Sequence, residues 1–170
     1  MTDVVAVLPE IVVSFTAIVV LMVDAVARRG RADGWLPWLT IAGLAAAGLV
    51  GPLSGATGIF FRGFVVVAAF TAFFRFVFVV LAIFAVIVAP GYLARRRIPA
   101  AEYDAIICFS TVGAMTIALS PDLIPLFIGF ELSSLSTFAL VAYRKSRPEA
   151  SEAAMKFFVV GAFSAALMLF

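Results

Sequence analysis

The sequence repeats apolar runs of about 20 residues, each long enough for a helix to cross a bilayer. Of its 170 residues, 65% are hydrophobic and only 13% are charged. A soluble domain of this length could not bury so much apolar surface in a single core. The runs therefore predict an all-α membrane protein with about six transmembrane helices.

Turn residues and caps set the limits of these predicted spans. The spans cover about 4–27, 35–53, 64–89, 103–119, 123–143 and 151–170. Pro90 and Gly91 predict the end of the third span, because proline interrupts helical hydrogen bonding. Asp122 is placed to cap the fifth helix, and Ser151 is placed to cap the sixth.

Basic residues are concentrated in alternate loops, which predicts the orientation in the membrane. The loops after the first, third and fifth spans hold three Lys or Arg residues each, whereas the other two loops hold one and none. These nine residues are Arg28, Arg29, Arg31, Arg95, Arg96, Arg97, Arg144, Lys145 and Arg147. Because basic loops stay cytoplasmic, we predict a multi-pass protein of the inner or plasma membrane with its amino terminus outside.

Two charged residues, Glu131 and Lys156, interrupt the fifth and sixth spans. An ionised side chain inside a bilayer costs about 2.5–3.5 kcal/mol on insertion scales, so it is kept where it has a partner, water or a function. At 1.5 Å per residue, Glu131 lies roughly 18 Å and Lys156 roughly 8 Å from the cytoplasmic ends of their helices. A short loop joins the two helices, so we expect them to be antiparallel neighbours. The offset of about 10 Å then requires bridging water, unless the helices slide or the long lysine side chain reaches up. Ser134, one turn from Glu131, could hold such water.

The residues alone leave three interpretations of this pair open. The first is a proton relay. Burial raises the pKa of a carboxyl and lowers that of a lysine, whereas their mutual attraction opposes both shifts, so a balanced pair can exchange protons near neutral pH. The second is structural, with Glu131 a neutral buried carboxyl and Glu152–Lys156 an i,i+4 pair at a helix entrance. The third is transport of a solute or a metal ion.

Arg75 lies near the middle of the third span and must face protein or water, since lipid would leave its charge unpaired. It could pair with a carboxylate or carbonyls of a neighbouring helix, or it could join a proton path. Glu10, at the start of the first span, is expected to be a helix-end carboxylate near the interface and is a further accessory candidate. The single cysteine, Cys108, lies in an apolar run and predicts helix packing. With no histidine and one cysteine, the sequence predicts no Cys/His metal site.

Three stretches carry a family resemblance: LPEIVVSFTAIVVLMVDAVARR, the segment from GYLARRR to VAYRK, and SEAAMKFFVVGAFSAALMLF. They resemble the N-type subunit of proton-pumping NADH–quinone oxidoreductase, respiratory complex I, which belongs to an antiporter-like family. The pattern GFELSSLSTFALVAYRK followed by SEAAMKFF is specific, and the LPE opening favours the N-type chain. Related members are multi-subunit cation/proton antiporters and the membrane arms of hydrogenases and reduced-deazaflavin dehydrogenases.

The resemblance implies that Glu131 and Lys156 match the proton-carrying glutamate and lysine of the family's fifth and sixth helices. It implies a translocase subunit that couples quinone reduction to proton translocation, with no catalytic residue, metal or cofactor on this chain. NADH, FMN, iron–sulfur clusters and quinone are expected on partner subunits. The expected partners are other membrane-arm subunits and the lipid bilayer, and not nucleic acid.

Family members contain two inverted repeats, which predicts how this chain divides. Residues 1–100 would form three amino-terminal transmembrane helices, and residues 101–170 would begin the proton-conducting antiporter-like repeat. The last span is still apolar at Phe170, so we expect an amino-terminal portion of a longer subunit. The alternatives are a subunit of a cation/proton antiporter or related membrane arm, and a non-functional truncated fragment.

Overall fold

The computed structural model describes residues 2–27, 34–96, 98–144 and 147–170. Seven α-helices form in these ranges, and six of them are long and apolar enough to cross a membrane. The elements are α1 (Thr2–Ala6), α2 (Leu8–Val26), α3 (Leu36–Ser54), β1 (Gly58–Phe60), β2 (Val65–Val67), α4 (Ala69–Arg96), α5 (Ala100–Leu119), α6 (Leu123–Val141) and α7 (Pro148–Leu169). The prediction of an all-α membrane protein with six spans is confirmed, and α2 is the first span.

Helix α5 lies at the centre of the bundle and packs against α2, α3, α4 and α6. Its small and apolar side chains fill the main core, where Ala105, Cys108 and Met115 are buried. Val13 of α2 and Leu44 of α3 belong to the same core. Cys108 is therefore a packing residue, as predicted, and α7 lies at the edge of the bundle against α6.

Two glycines let α5 and α6 approach each other closely. A Cβ atom at Gly113 would lie 2.6 Å from the backbone nitrogen of Ser133, and one at Gly129 would lie 2.8 Å from the carbonyl oxygen of Gly113. Small residues allow such close crossings in membrane helices. Hydroxyl groups follow the same interface, and Ser110 Oγ lies 3.4 Å from Ser133 Oγ.

The start of the third span differs from the prediction. β1 pairs antiparallel with β2, with Gly58 opposite Val67, so a hairpin occupies the first residues that we assigned to the helix. Helix α4 begins only at Ala69. Val65–Val67 is as apolar as a turn of membrane helix, so the sequence pattern placed it in the third span. Because valine is β-branched, the run favours a strand instead.

The end of the third span also differs from the prediction, because α4 continues through Pro90 to Arg96. A proline inside a helix removes one backbone hydrogen bond. The last turns compensate by packing: Leu93 is buried in a cluster with Ala89 and Ala100. Tertiary contact therefore outweighs the local stop signal.

Of the two predicted helix caps, one is confirmed. Asp122 Oδ1 accepts a hydrogen bond from the backbone N–H of Leu123 at 2.7 Å, at the start of α6. The cap predicted at Ser151 is wrong, because α7 begins at Pro148 with Arg147 before it. Proline suits the first helical position, where its missing N–H would have no helical partner.

The predicted orientation rests partly on residues that the structure does not cover. Arg28, Arg29, Arg31, Arg97 and Lys145 lie outside the described residues. The six spans make the chain a multi-pass membrane protein. The side on which its termini and basic loops lie stays a prediction.

Candidate functional site

Glu131 lies in α6, a helix that packs against α5 and α7. Its side chain is half-buried, and within the described ranges it forms no ion pair. A carboxyl in a membrane-spanning helix without a cationic partner is a functional candidate, because its charged form is costly there. The structure thus leaves this carboxyl without a charged partner among the described residues.

A cavity of about 290 Å³ lies between α5, α6 and α7. We call it the hydroxyl cavity, because four hydroxyl side chains line it: Ser133, Ser134, Thr137 and Ser164. Phe130, which precedes Glu131, and Ser134, one turn after it, are both on its wall. Since a water occupies about 30 Å³ in the liquid, several waters would fit beside these polar groups. Ser134 lines this cavity, whereas Glu131 and Lys156 do not, so a bridging water between those two residues stays a prediction.

Lys156 is not brought into contact with Glu131. Its Nζ lies 2.6 Å from Oε1 of Glu152, one turn earlier in α7, and the two side chains are 74% and 66% exposed. This is the i,i+4 pair of the structural interpretation. The predicted packing of α6 against α7 is confirmed. The roles of Glu131 and Lys156 in proton movement stay predictions.

Arg75 and Glu10 form a buried ion pair between α4 and α2. Arg75 Nε donates to Oε1 of Glu10 and Nη2 donates to Oε2, each at 2.8 Å, while Nη2 also donates to the carbonyl oxygen of Ala6 at 2.6 Å. The side chains are only 9% and 8% exposed. For Arg75 the structure shows the alternative of pairing with a neighbouring carboxylate. Glu10 lies in the first turn of α2, as expected of a helix-end carboxylate, but its side chain is buried in this pair.

Sequence reasoning missed the buried carboxyl of Asp104, which is 1% exposed in α5. Oγ1 of Thr40 in α3 lies 3.2 Å from Oδ2 of Asp104, and it also lies 3.2 Å from the carbonyl oxygen of Leu36. A carboxyl one turn into a span has the sequence appearance of an interfacial group. Only the packing of α3 against α5 shows that it is buried.

A second missed contact joins the ends of α5 and α6. The Tyr143 hydroxyl lies 2.9 Å from the carbonyl oxygen of Pro99 and 3.1 Å from Oε2 of Glu102, so two acceptors share its proton. Burial, and then the neighbouring charge of Glu102, raises the pKa of Tyr143. A tyrosine at a helix end is common at membrane interfaces, so its sequence position gave no sign of this contact.

Comparison with known proteins places the chain in a family. Residues 120–170 match the family model of the transmembrane region of NADH:quinone oxidoreductase/Mrp antiporter. NADH-quinone oxidoreductase subunit N of Trichlorobacter lovleyi is 33% identical over 165 residues, which is 96% of this chain and 34% of the relative. NADH-quinone oxidoreductase subunit N 1 of Sorangium cellulosum is 40% identical over 127 residues, covering 74% of this chain and 25% of the relative. The chain spans about a third of the length of the first of these curated relatives.

A solved structure shares the fold. A chain in the membrane-bound sulfane sulfur reductase, an archaeal respiratory membrane complex, matches with a TM-score of 0.77 at 21% identity, over 96% of this chain and 35% of that chain. The two chains therefore share a helical fold. The chain belongs to the antiporter-like family that contains NADH–quinone oxidoreductase subunit N, which confirms the resemblance found in the sequence.

Proposed function

We propose that this chain is part of the proton-translocating membrane arm of an NADH–quinone oxidoreductase. The observation that carries the proposal is its similarity, over 96% of its length, to subunit N of such an enzyme. Glu131 and Lys156 are the proposed proton-carrying groups. Ser134 belongs to the path between them, and the Arg75–Glu10 pair holds the surrounding helices in place.

The surroundings of Glu131 support a proton-exchanging role. The carboxyl is half-buried in a membrane-spanning helix, where an ionisable group is costly and is kept for a function. The hydroxyl cavity, lined by the residue before Glu131 and by Ser134 one turn after it, offers space for water and four hydroxyl groups that can pass a proton on.

Glu152 controls the other end of this proposed path. It holds Lys156 in an ion pair at 2.6 Å, away from Glu131. No described ion pair joins Glu131 and Lys156, so a proton that moves between them needs intervening groups. The hydroxyl cavity lies between α6 and α7, the helices that carry these two residues, and we propose that it supplies those groups.

The chemistry of the whole enzyme is assigned to partner subunits. NADH, FMN, iron–sulfur clusters and quinone would be bound there, and this chain would serve as a translocase subunit without a redox group. Other membrane-arm subunits and lipid would be its partners. The basic loops would face the cytoplasm and the amino terminus the outside. Residues 1–100 would frame the repeat that begins at residue 101.

The substitution Glu131→Gln in the assembled complex tests the proposal. It keeps the side-chain shape and removes the titratable group. We expect fewer protons translocated per NADH oxidised, measured in inverted vesicles with a pH-sensitive dye. Glu149→Gln, an exposed residue in the first turn of α7, is the matched control and should pump normally. Unchanged pumping stoichiometry in Glu131→Gln would reject the relay role.

The family model also covers Mrp antiporters, which favours a second candidate function, cation/proton exchange. The two functions differ in their energy source. Sodium-dependent proton exchange in vesicles that contain no quinone-reducing partner would favour the antiporter. Proton movement that requires NADH oxidation would favour the oxidoreductase.

A further inference from the structure

A second cavity, of about 250 Å³, lies between α3 and α4, and we call it the α3–α4 cavity. Its walls are apolar and largely made of small residues: Ala47, Gly48 and Gly51 from α3, and Ala69 and Ala72 from α4. Pro52 and Phe76 on its rim are exposed on the outside of the bundle. The cavity therefore opens on the outer side of the described bundle.

Arg75 is the charged side chain on the wall of this cavity. Its Nε and Nη2 atoms bond to Glu10 and Ala6, whereas Nη1 donates to none of the described residues. No fully buried side-chain nitrogen or oxygen in the described ranges lacks a hydrogen-bond partner, so Nη1 is accessible. The guanidinium belongs to a residue that is only 7% exposed and lines the cavity, and its Nη1 group bonds to none of the described residues.

The charge balance at this donor decides what it can bind. Glu10 already neutralises the guanidinium through two hydrogen bonds of 2.8 Å. An added anion would therefore find no net positive charge to pair with. It would also have to lose its hydration on entering an apolar cavity, which is costly. A neutral acceptor, such as a carbonyl oxygen, satisfies the remaining N–H without introducing a charge.

The flank around the opening identifies the source of that carbonyl. Phe70, Phe73 and Phe76 on α4 and Leu49 and Leu53 on α3 are exposed, so this side of the bundle is apolar. A molecule that arrives from the bilayer brings acyl chains, which suit the apolar walls. Arg75 is six residues from the start of α4, roughly 9 Å along the helix, which is close to the boundary between headgroups and hydrocarbon.

We propose that the α3–α4 cavity binds the ester end of a membrane phospholipid, with the ester carbonyl accepting a hydrogen bond from Nη1 of Arg75 and the adjoining methylene groups against the small residues. A dry cavity of about 150 Å³ is enough to hold a benzene ring, so 250 Å³ accommodates a short length of acyl chain. This binding site does not depend on proton translocation by Glu131.

Photolabelling of the full chain in its membrane complex tests the site. The probe is a phosphatidylcholine that carries a diazirine on the acyl chain next to the ester. We expect labelled peptides from α3 and α4. Ala72→Leu, which adds bulk on the cavity wall, should reduce this labelling at least several-fold. Ala69→Leu is a second filling variant if the first fails to fold. Ala46→Leu, exposed on α3 but outside the cavity, is the control and should label normally.

A second arm tests the carbonyl. A dialkyl ether analogue with the same diazirine should label about tenfold less, because a hydrogen bond to a charged donor is lost. Equal labelling by ester and ether probes would overturn carbonyl recognition. Labelling that survives in both filling variants would overturn the lipid site. A photoreactive residue at position 72 gives a second check: if it crosslinks to a neighbouring protein instead of to lipid, the lipid site is also overturned.

Discussion

Arg75 and Glu10 bond through two parallel N–H···O contacts of 2.8 Å within the membrane-spanning part of the bundle. The planar guanidinium matches a carboxylate in this geometry, which lysine could not reproduce. A third bond to the carbonyl oxygen of Ala6 extends the contact to α1. A single arginine thus connects the start of the chain to α4.

The first prediction concerns this pair. Glu10→Leu leaves the guanidinium buried without its counter-charge, so we expect a loss of about 3–5 kcal/mol in the free energy of unfolding. Chemical unfolding of the protein in mixed micelles measures this change. The double variant Glu10→Leu/Arg75→Met removes both charges and should recover most of the loss. A single variant as stable as the wild type would contradict the structural role of the pair.

The second prediction concerns the crossing of α5 and α6. A methyl group at Gly129 would meet backbone atoms of α5, which cannot move aside as a side chain can. We expect Gly129→Ala to lower the free energy of unfolding by about 1–3 kcal/mol, as overpacking does. Gly91→Ala is the matched control, because a Cβ at that helical glycine meets nothing within 4 Å. It should be neutral or slightly stabilising. If both substitutions change the free energy of unfolding equally, α5 and α6 do not pack closely at Gly129.

Most of the spans could be predicted because their information is local. A run of apolar residues longer than the hydrocarbon core identifies a membrane helix whatever surrounds it. Asp122 could be predicted as a cap for the same reason, since capping involves adjacent residues. The end of α4 could not, because burial of Leu93 decides whether the helix survives Pro90.

The polar contacts inside the bundle could be predicted only as possibilities. The sequence indicated that Arg75 needs a partner, but Glu10 is 65 residues away and looked like a helix-end residue. Asp104 and Thr40 are likewise 64 residues apart. Such pairs depend on which helices are neighbours, and span lengths do not determine this. For Glu131, the hydrophobic surroundings could be predicted, whereas the hydroxyl cavity depends on the packing of α7.

The third prediction follows from counting protons at Thr40. Its hydroxyl has one proton, yet Oγ1 lies 3.2 Å from both the Leu36 carbonyl oxygen and Oδ2 of Asp104. Both contacts are full hydrogen bonds if Asp104 is protonated and donates to Thr40, whereas a carboxylate would share the hydroxyl proton with the Leu36 carbonyl oxygen. We predict the protonated form. We therefore expect Asp104→Asn, whose amide also donates, to keep the free energy of unfolding within about 1 kcal/mol of the wild type.

The comparison variant for this prediction is Thr40→Val. It leaves the buried carboxyl of Asp104 without its partner and should cost about 1–3 kcal/mol in the same micelle unfolding assay. Infrared spectra at neutral pH should show the carbonyl band of a protonated carboxyl that is absent in Asp104→Asn. A destabilisation of Asp104→Asn as large as that of Thr40→Val would mean that Asp104 is a carboxylate.

The fourth prediction concerns alkaline pH. Burial, and then the Glu102 carboxylate, raises the pKa of Tyr143 in the folded protein, whereas a tyrosine in the unfolded chain titrates near pH 10. The unfolded state therefore loses this proton first. The stability that depends on the neutral phenol is fully present below about pH 10 and is lost as the pH rises through the folded pKa.

The titration of Tyr143 is measured as the difference in phenolate absorbance between the wild type and Tyr143→Phe. Glu102→Gln should move the titration to lower pH, because it removes the neighbouring charge. If Tyr143 titrates near pH 10 in the folded protein, its contact with Glu102 does not form.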